Sequence, residues 1–137
     1  MDNNNINRFK VGQKAGSVNT VTEAVVKSFA ELTGDNNPIH LNDDYAKTTI
    51  FEERIAHGML SAGYISAVLG NQLPGPGNVY LSQSLKFLAP VRFGDTITTT
   101  VEIIKIIQEK NRIVLRTTCT NQSGILVIDG EALTKIL

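Results

Sequence analysis

The spacing of hydrophobic and polar residues changes about halfway along the chain. Up to residue 73 the spacing is mostly helical with polar turns, and after the turn Pro74-Gly75-Pro76-Gly77 it becomes typical of β-strands. Val, Ile and Thr dominate the later runs, which are separated by turn residues such as Gly94-Asp95. The predicted strands cover residues 78–87, 96–108, 112–120 and 125–136, with a fifth over 14–21. Short connections predict antiparallel pairing, because parallel neighbours need a long crossover.

The first half of the chain contains a predicted amphipathic helix. Thr22 is a suitable N-cap, Glu23 lies in the first turn and Gly34 is a suitable C-cap. One helical face carries Val25, Val26, Phe29, Ala30 and Thr33. We therefore expect this helix to end at Gly34 and to pack on a core with its apolar face.

Residues 35–40, with the sequence Asp-Asn-Asn-Pro-Ile-His, interrupt the helical pattern. Pro38 disfavours helical backbone at the residue before it, and Asp and Asn favour turns. We expect an exposed or cleft-lining loop here. Asn42 and the two acidic residues after it then cap a short helix that extends through Lys47.

The sequence of residues 58–69 predicts a helix that is apolar on all sides, because only Ser61 and Ser66 are polar. Such a helix either crosses a membrane or is surrounded by protein, and a membrane span needs about 20 residues. This segment is too short to span. We therefore predict an α+β protein with the hotdog fold, in which an antiparallel sheet is wrapped around this central apolar helix.

The composition fits one domain over residues 1–137 with a frayed N-terminus at residues 1–8. Lys plus Arg total 13 and Asp plus Glu total 13, and this zero net charge argues against nucleic acid as a partner. One cysteine, Cys119, and two histidines cannot make a Cys/His zinc site, so we expect no metal centre. The chain also begins without a signal-peptide pattern, which predicts a cytoplasmic protein that does not bind a membrane.

Asp35 and His40 are the first candidates for chemistry, because a carboxylate and an imidazole on one loop can hold a water molecule and move its protons. Their spacing is a weak signal, since an Asp after a helix often only forms a turn. Gly58 begins the apolar helix and has two possible roles. The free N–H groups at this end can stabilise an oxyanion, or Gly can simply allow the helix to pack closely. Ser66 either reaches the same site or bonds back to its own helix.

Three segments together resemble the R-specific enoyl-CoA hydratases of the MaoC-like family, which are hotdog proteins. The resemblance covers most of the chain from about Thr22, and the combination is more specific than any one segment. The matching segments are Phe29-Ala30-Glu31-Leu32-Thr33-Gly34-Asp35-Asn36-Asn37-Pro38-Ile39-His40, Ile55-Ala56-His57-Gly58-Met59-Leu60 and Gln83-Ser84-Leu85-Lys86-Phe87-Leu88-Ala89-Pro90-Val91-Arg92-Phe93-Gly94-Asp95.

The resemblance implies that Asp35 and His40 form the catalytic dyad, that Gly58 donates its backbone N–H to an oxyanion and that Ser66 supports the dyad. It implies a homodimer with active sites at the subunit interface and an acyl-CoA substrate, so that coenzyme A is part of the substrate and no separate cofactor is needed. The expected substrate-binding residues are Asn37, His57, Leu69, Leu133, Lys86 and Arg92. Leu69 and Leu133 either limit an acyl tunnel to short chains or simply pack in the core. Lys86 and Arg92 either bind the phosphates of coenzyme A or are solvated surface charges.

Other functions remain open from the sequence. A hotdog dehydratase that acts on acyl-carrier-protein thioesters would use the same chemistry and a basic docking patch. A hotdog thioesterase commonly has a carboxylate on or beside the central helix, and residues 58–69 contain no Asp or Glu. A non-catalytic acyl-CoA-binding protein would keep the cavity without needing the Asp35 and His40 pair.

Overall fold

Five strands form one antiparallel sheet in the order β1-β3-β4-β5-β2. The computed structural model describes residues 5–137. Strands β1 and β2 lie at the two edges of the sheet. The strand bounds are Lys14–Thr20 for β1, Asn78–Phe87 for β2, Thr96–Ile107 for β3, Arg112–Thr120 for β4 and Leu126–Ile136 for β5.

Four helices precede strand β2. Helix α1 begins after the Thr22 cap, whose side chain accepts a hydrogen bond from the N–H of Val25 at 3.2 Å, and it ends at Gly34, which is in the left-handed region with φ 77°. The helix bounds are Glu23–Thr33 for α1, Pro38–Leu41 for α2, Asp43–Ala46 for α3 and Gly58–Asn71 for α4. Helices α2 and α3 are single turns. With 14 residues against 11 in α1, α4 is the longest helix that the described residues contain.

Helix α4 packs against the sheet, mainly on β3 and also on β1, β4 and β2. Alternate residues of β3 and β4 point towards it and are fully buried, in keeping with the two-residue repeat of a strand. The buried side chains at this contact include Ile65, Val68 and Leu69 of α4 and Val101, Ile103, Ile113 and Leu115 of the sheet. The predicted α+β hotdog architecture is confirmed.

The prediction of a loop through residue 40 is wrong in part. Residues 35–37 are irregular, but Pro38–Leu41 form the turn of helix α2. The side chain of Asn37 accepts a hydrogen bond from the N–H of Ile39 at 3.2 Å, and Pro38 occupies the first helical position, where its fixed φ favours a helix. Asn37 therefore acts as an N-cap, which starts the turn that carries His40.

The prediction that α4 is surrounded on all sides is not met within one chain. A stripe on α4 is exposed, because a single sheet covers only one side of the helix. This exposed stripe consists of Met59, Gly63, Ser66, Ala67 and Gly70. Apart from Met59, all its residues are small.

The predicted fraying of residues 1–8 is wrong for residues 6–8. Ile6–Arg8 form a 3-10 turn that Asn5 caps, since the side chain of Asn5 accepts a hydrogen bond from the N–H of Asn7 at 2.8 Å. Ile6 and Phe9 are buried in the core cluster, and this apolar anchoring holds the segment against the body. Residues 1–4 lie outside the described residues.

Within residues 5–137, no helix is long and apolar enough to cross a membrane.

The contact between α4 and the sheet predicts a large stability effect at Ile65, which has no exposed surface. Ile65→Ala should lower the free energy of unfolding by about 2–5 kcal/mol, because the change removes buried methyl groups and leaves a cavity. Leu32→Ala is the control, since Leu32 is 88% exposed and its loss should change stability by no more than about 0.5 kcal/mol. Urea unfolding measures both values, and equal effects of the two changes would contradict the assigned packing.

Candidate active site

The C-terminal end of α1 sets the position of Asp35. Gly34 turns the chain out of the helix with a positive φ, and the side chain of Thr33 accepts a hydrogen bond from the N–H of Asp35 at 3.2 Å. A carboxylate oxygen of Asp35 accepts in turn from the N–H of Asn37 at 3.3 Å. These local bonds hold Asp35 in a fixed turn while its side chain stays exposed.

The turn of helix α2 brings His40 against the segment that precedes α4. The distance between His40 Nδ1 and the carbonyl oxygen of Ile55 is 2.8 Å. Because a carbonyl oxygen only accepts, Nδ1 carries the hydrogen, and in the neutral ring Nε2 keeps its lone pair. The neutral form of His40 can therefore accept a proton at Nε2.

Burial lowers the pKa of His40, because the charged ring loses hydration. The hydrogen bond to Ile55 and the carboxylate of Asp35 act in the opposite direction, and the neighbouring His57 adds to the lowering. As a net result the pKa of His40 lies below its ordinary value of 6.5. His40 is therefore mainly neutral near pH 7.

His57 lies under the other two polar groups. Its Nε2 is 3.0 Å from the backbone carbonyl oxygen of Asp35, and its ring stacks on His40 with centroids 3.8 Å apart and an interplanar angle of 28°. The residue is only 2% exposed and lines neither of the two cavities described below. Within one chain the His57 side chain is covered by Asp35, His40 and Phe29, and its role as a substrate-binding residue stays a prediction.

Asp35, His40 and His57 each offer one potential metal ligand, and these atoms lie within 4.8 Å of one another. The stacked rings argue against coordination, however. A metal ion bonded to both imidazoles would have to lie in both ring planes at about 2 Å from each nitrogen, and the planes of two stacked rings with centroids 3.8 Å apart and an interplanar angle of 28° do not meet that close to the rings. The arrangement suits proton transfer better than metal binding.

Gly58 begins helix α4, which is 14 residues long. His57 makes no side-chain capping bond, so the side chain before the helix leaves the first N–H groups of α4 available. A Cβ atom at position 58 would lie 2.6 Å from the ring of the exposed Phe87 side chain, so a larger residue would fit only if that ring moved. An anion that approaches this end meets N–H donors and the positive end of the helix dipole.

Two open cavities flank this end of α4. Cavity A, of about 490 Å³, contains His40 and Gly58 in an otherwise apolar wall with one hydroxyl, that of Ser61. Cavity B, of about 720 Å³, contains Asp35, Ser66 and residues of the β2 edge such as Tyr80. Met59 lines both cavities. The two members of the predicted dyad thus face different cavities, although their ligating atoms are close together.

The structure does not bring five of the predicted substrate-binding residues to either cavity. Leu69 is buried in the core, Leu133 is half-buried on β5, and Lys86 is exposed on β2. Arg92 is already paired, because its guanidinium donates to Glu53 at 2.8 Å and to the carbonyl oxygen of Phe51 at 2.9 Å. Asn37 uses its side chain to cap α2. None of these side chains lines cavity A or cavity B.

Arg92 and Arg54 hold the segment that forms one wall of cavity A. This segment, residues 47–55, contributes Phe51 and Ile55 to the cavity. Arg54 donates to Asp43 at 2.7 Å and to Glu23 at 2.8 Å. The bonds of Arg92 and Arg54 therefore connect the segment to α1, α3 and the turn before β3.

Sequence reasoning gave no role to Ser61, although it noted the hydroxyl in an apolar helix. Ser61 is 1% exposed, lines cavity A, and its hydroxyl oxygen has no hydrogen-bond partner among the described residues. A buried hydroxyl without a partner is unusual, and a polar residue in an apolar helix is the signal that points to it. Ser66 carried the same signal and lies instead on the exposed stripe beside cavity B.

The chain matches the family model described as MaoC-like domain over residues 7–124. It is 56% identical to an (R)-specific enoyl-CoA hydratase of Rhodospirillum rubrum, a match that covers 90% of this chain and 85% of the relative. It is 52% identical to a 3-hydroxybutyryl-CoA dehydratase of Methylorubrum extorquens, over 85% of this chain and 73% of the relative. The solved structure of an (R)-hydratase from Aeromonas caviae involved in PHA biosynthesis superposes with a TM-score of 0.90 at 44% identity, covering 94% of this chain and 98% of that one.

The family model spans most of the chain, and both relatives and the solved structure are similar to it over most of their own lengths. The chain therefore belongs to the MaoC-like domain family.

Proposed function

We propose that this protein catalyses the reversible, (R)-specific hydration of trans-2-enoyl-CoA to (R)-3-hydroxyacyl-CoA, with short acyl chains such as crotonyl-CoA as substrates. The chain is a hydro-lyase, since relatives more than half identical to it are named as a hydratase and a dehydratase. In this proposal residues 1–137 act as one domain in the cytoplasm. Coenzyme A is part of the substrate, and the reaction needs no separate cofactor.

One observation carries the proposal. A carboxylate oxygen of Asp35 and a ring nitrogen of His40 lie within 4.8 Å of each other, while Gly58 begins α4 in the cavity that His40 lines. One water molecule can bridge such a gap, because each hydrogen bond spans about 2.8 Å. An acid, a base and an oxyanion donor are the groups that hydration of an enoyl thioester requires.

In the proposed mechanism the bridging water attacks C3 of the enoyl group. The new bond joins the water oxygen to C3, and one proton of that water passes to the dyad. The electrons of the C2–C3 double bond move towards the thioester, whose oxygen gains negative charge and accepts a hydrogen bond from the Gly58 N–H. C2 then takes a proton from the dyad on the same face, so that the elements of one water are added.

The walls of cavity A support an acyl substrate. Aromatic and aliphatic side chains such as Phe51, Phe87 and Val127 form most of the cavity, and apolar walls favour an alkyl chain over water. The roles of Leu69 and Leu133 as limits of the acyl tunnel stay predictions from the family resemblance. The roles of Lys86 and Arg92 as ligands of the coenzyme A phosphates stay predictions from their charge. Ser66 would support the dyad from cavity B, on the side of Asp35.

We further propose a homodimer with active sites at the subunit interface. Strand β2 is an edge strand with exposed apolar side chains at Val79, Tyr80 and Leu81. The exposed stripe of α4 lies next to it across cavity B, which residues of both elements line. A second copy that pairs with β2 would cover this edge and the small side chains of the stripe.

The dyad predicts that Asp35→Asn and His40→Gln each lower the turnover of crotonyl-CoA by about 10²–10⁴-fold, because each change removes one proton-transfer group. Loss of the enoyl thioester absorbance measures the rate, and chiral analysis should find the (R)-alcohol. Circular dichroism should show an unchanged fold. Near-normal turnover in either variant would contradict the dyad.

The same assay separates the other functions. Faster turnover of a crotonyl-acyl-carrier-protein than of crotonyl-CoA would indicate a carrier-protein dehydratase. Release of free coenzyme A would indicate a thioesterase. Saturable binding of crotonyl-CoA without any turnover would indicate a binding protein.

The environment of His40 predicts the acid limb of the pH profile. A base must be neutral to accept a proton, and the lowered pKa keeps His40 neutral to a lower pH than an ordinary histidine. We expect kcat/KM to be constant near pH 7 and to fall with acid at a midpoint below 6.5. A midpoint above that value, or one that His40→Gln leaves unchanged, would count against His40 as the base.

The exposed β2 edge predicts a dimer of twice the chain mass of 14.9 kDa by light scattering. Leu81→Lys should convert it towards monomers and reduce turnover by at least about 10-fold, because a desolvated ammonium at the interface is unfavourable. Val18→Lys is the matched control, since Val18 is exposed on the opposite edge strand, β1. If Leu81→Lys and Val18→Lys behave alike, the interface does not involve β2.

A further inference from the structure

We propose that His57 is a positioning residue, which holds Asp35 and His40 in register with the oxyanion donor Gly58. This inference rests on the proposed hydration reaction and adds a role for a side chain that does not reach the substrate. His57 is 2% exposed and lines neither cavity A nor cavity B. Its effect on the reaction must therefore pass through its neighbours.

The first link runs from His57 to the backbone of Asp35. The Nε2 of His57 donates to the carbonyl oxygen of Asp35 at 3.0 Å, since a carbonyl oxygen only accepts. The bond joins residues 22 positions apart and fixes the turn between α1 and α2 to the start of α4. Asp35 is otherwise held only by short-range bonds to Thr33 and Asn37, so this contact sets its place relative to α4.

The second link is the stack of His57 on His40. With centroids 3.8 Å apart and planes 28° from parallel, the face of one ring blocks rotation of the other. The hydrogen bond from His40 Nδ1 to Ile55 fixes the ring within its plane, and the stack fixes the plane itself. Together they determine the direction of the lone pair on His40 Nε2, and Nε2 is the atom that takes the proton in the proposed reaction.

The third link is covalent, because His57 directly precedes Gly58. The N–H of Gly58 belongs to the peptide bond that leaves His57, so movement of His57 moves the oxyanion donor. One residue thus connects the three groups of the proposed reaction by a hydrogen bond, a ring contact and a peptide bond.

The unused nitrogen of His57 argues that the ring is not there for packing alone. Nδ1 is buried and has no hydrogen-bond partner among the described residues. A buried polar atom without a partner is destabilising, and a phenyl ring would fill the space beside Phe29 without that loss. The imidazole therefore supplies what a phenyl ring cannot, which is the N–H for the Asp35 carbonyl.

Two variants separate the two side-chain links. His57→Phe keeps a ring for the stack and loses the donor, whereas His57→Gln keeps an N–H donor and loses the ring. We expect each to lower kcat for crotonyl-CoA by about 10–100-fold with KM changed less than about threefold, because misplacement by about 1 Å acts on the reacting groups. His57→Ala removes both links, and its kcat should be lower than that of either variant. Ile113→Val, a change in the core away from both cavities, is the control for lost packing and should retain kcat.

NMR of the imidazole nitrogens gives a readout that does not depend on activity. His40 and His57 are the only histidines in the chain, so each variant at 57 leaves His40 as the single imidazole signal. In the native protein we expect His40 to carry its hydrogen on Nδ1. Loss of the ring in His57→Gln should give mixed tautomers, because the ring plane is no longer held, and should raise the pKa of His40, because His57 contributes to its lowering.

The other charged groups around His40 stay constant in this comparison. They are Asp35 beside the ring and Glu23, Lys27, Glu31 and Arg54, which line a surface hollow with His40. In His57→Gln, which keeps a donor for the Asp35 carbonyl, a shift in the His40 titration therefore reports the loss of the ring at position 57, whereas in His57→Phe a displaced Asp35 also contributes to the shift.

The outcomes distinguish this inference from the proposed function. Failure of the native protein to hydrate crotonyl-CoA while the His40 tautomer still depends on His57 would remove the function and leave the positioning role. If turnover of native protein is normal and His57→Phe and His57→Gln both keep kcat within about twofold, the positioning role is wrong. An increase in KM at constant kcat would also overturn it, since that pattern belongs to a substrate-binding residue.

Discussion

Helix α4 buries Ile65, Val68 and Leu69 against the sheet, and this contact determines where the N-terminal end of the helix lies. In the proposed reaction the N–H groups at that end need a fixed position before substrate arrives, because an oxyanion donor that must reorient during the reaction loses much of its effect. Packing over several turns provides this rigidity. The absence of a side-chain cap from His57 and the lack of a side chain at Gly58 then leave the donor open to cavity A.

The groups of the dyad depend on turn chemistry rather than on the core. Gly34 ends α1 in the left-handed region, Thr33 holds the N–H of Asp35, and Asn37 caps the turn that carries His40. Each is a short-range backbone contact that small polar residues form well. The candidate active site thus joins two kinds of structure, a rigid helix end and a pair of capped turns, and His57 lies where they meet.

The sequence predicts the five strands and α4 closely, because their hydrophobic repeats are long and consistent. It does not predict the turn at Pro38–Leu41, since that turn depends on a single side-chain cap by Asn37. It also does not predict the contacts of His57 with Asp35 and His40, which join residues 22 and 17 positions apart. Local patterns carry no information about such contacts. The exposed stripe on α4 was missed because a composition that is apolar on all sides does not reveal which side the sheet covers.

The hydrogen bonds and ion pairs of Arg54 and Arg92 make one wall of cavity A more sensitive to dissolved salt than the rest of the site. The acidic partners Glu23, Asp43 and Glu53 are largely exposed, and exposed ion pairs are screened by dissolved salt. The contact of α4 with the sheet is apolar and is not screened in this way. Ionic strength therefore acts selectively on the segment that carries Phe51 and the carbonyl group of Ile55, and so on one wall of cavity A.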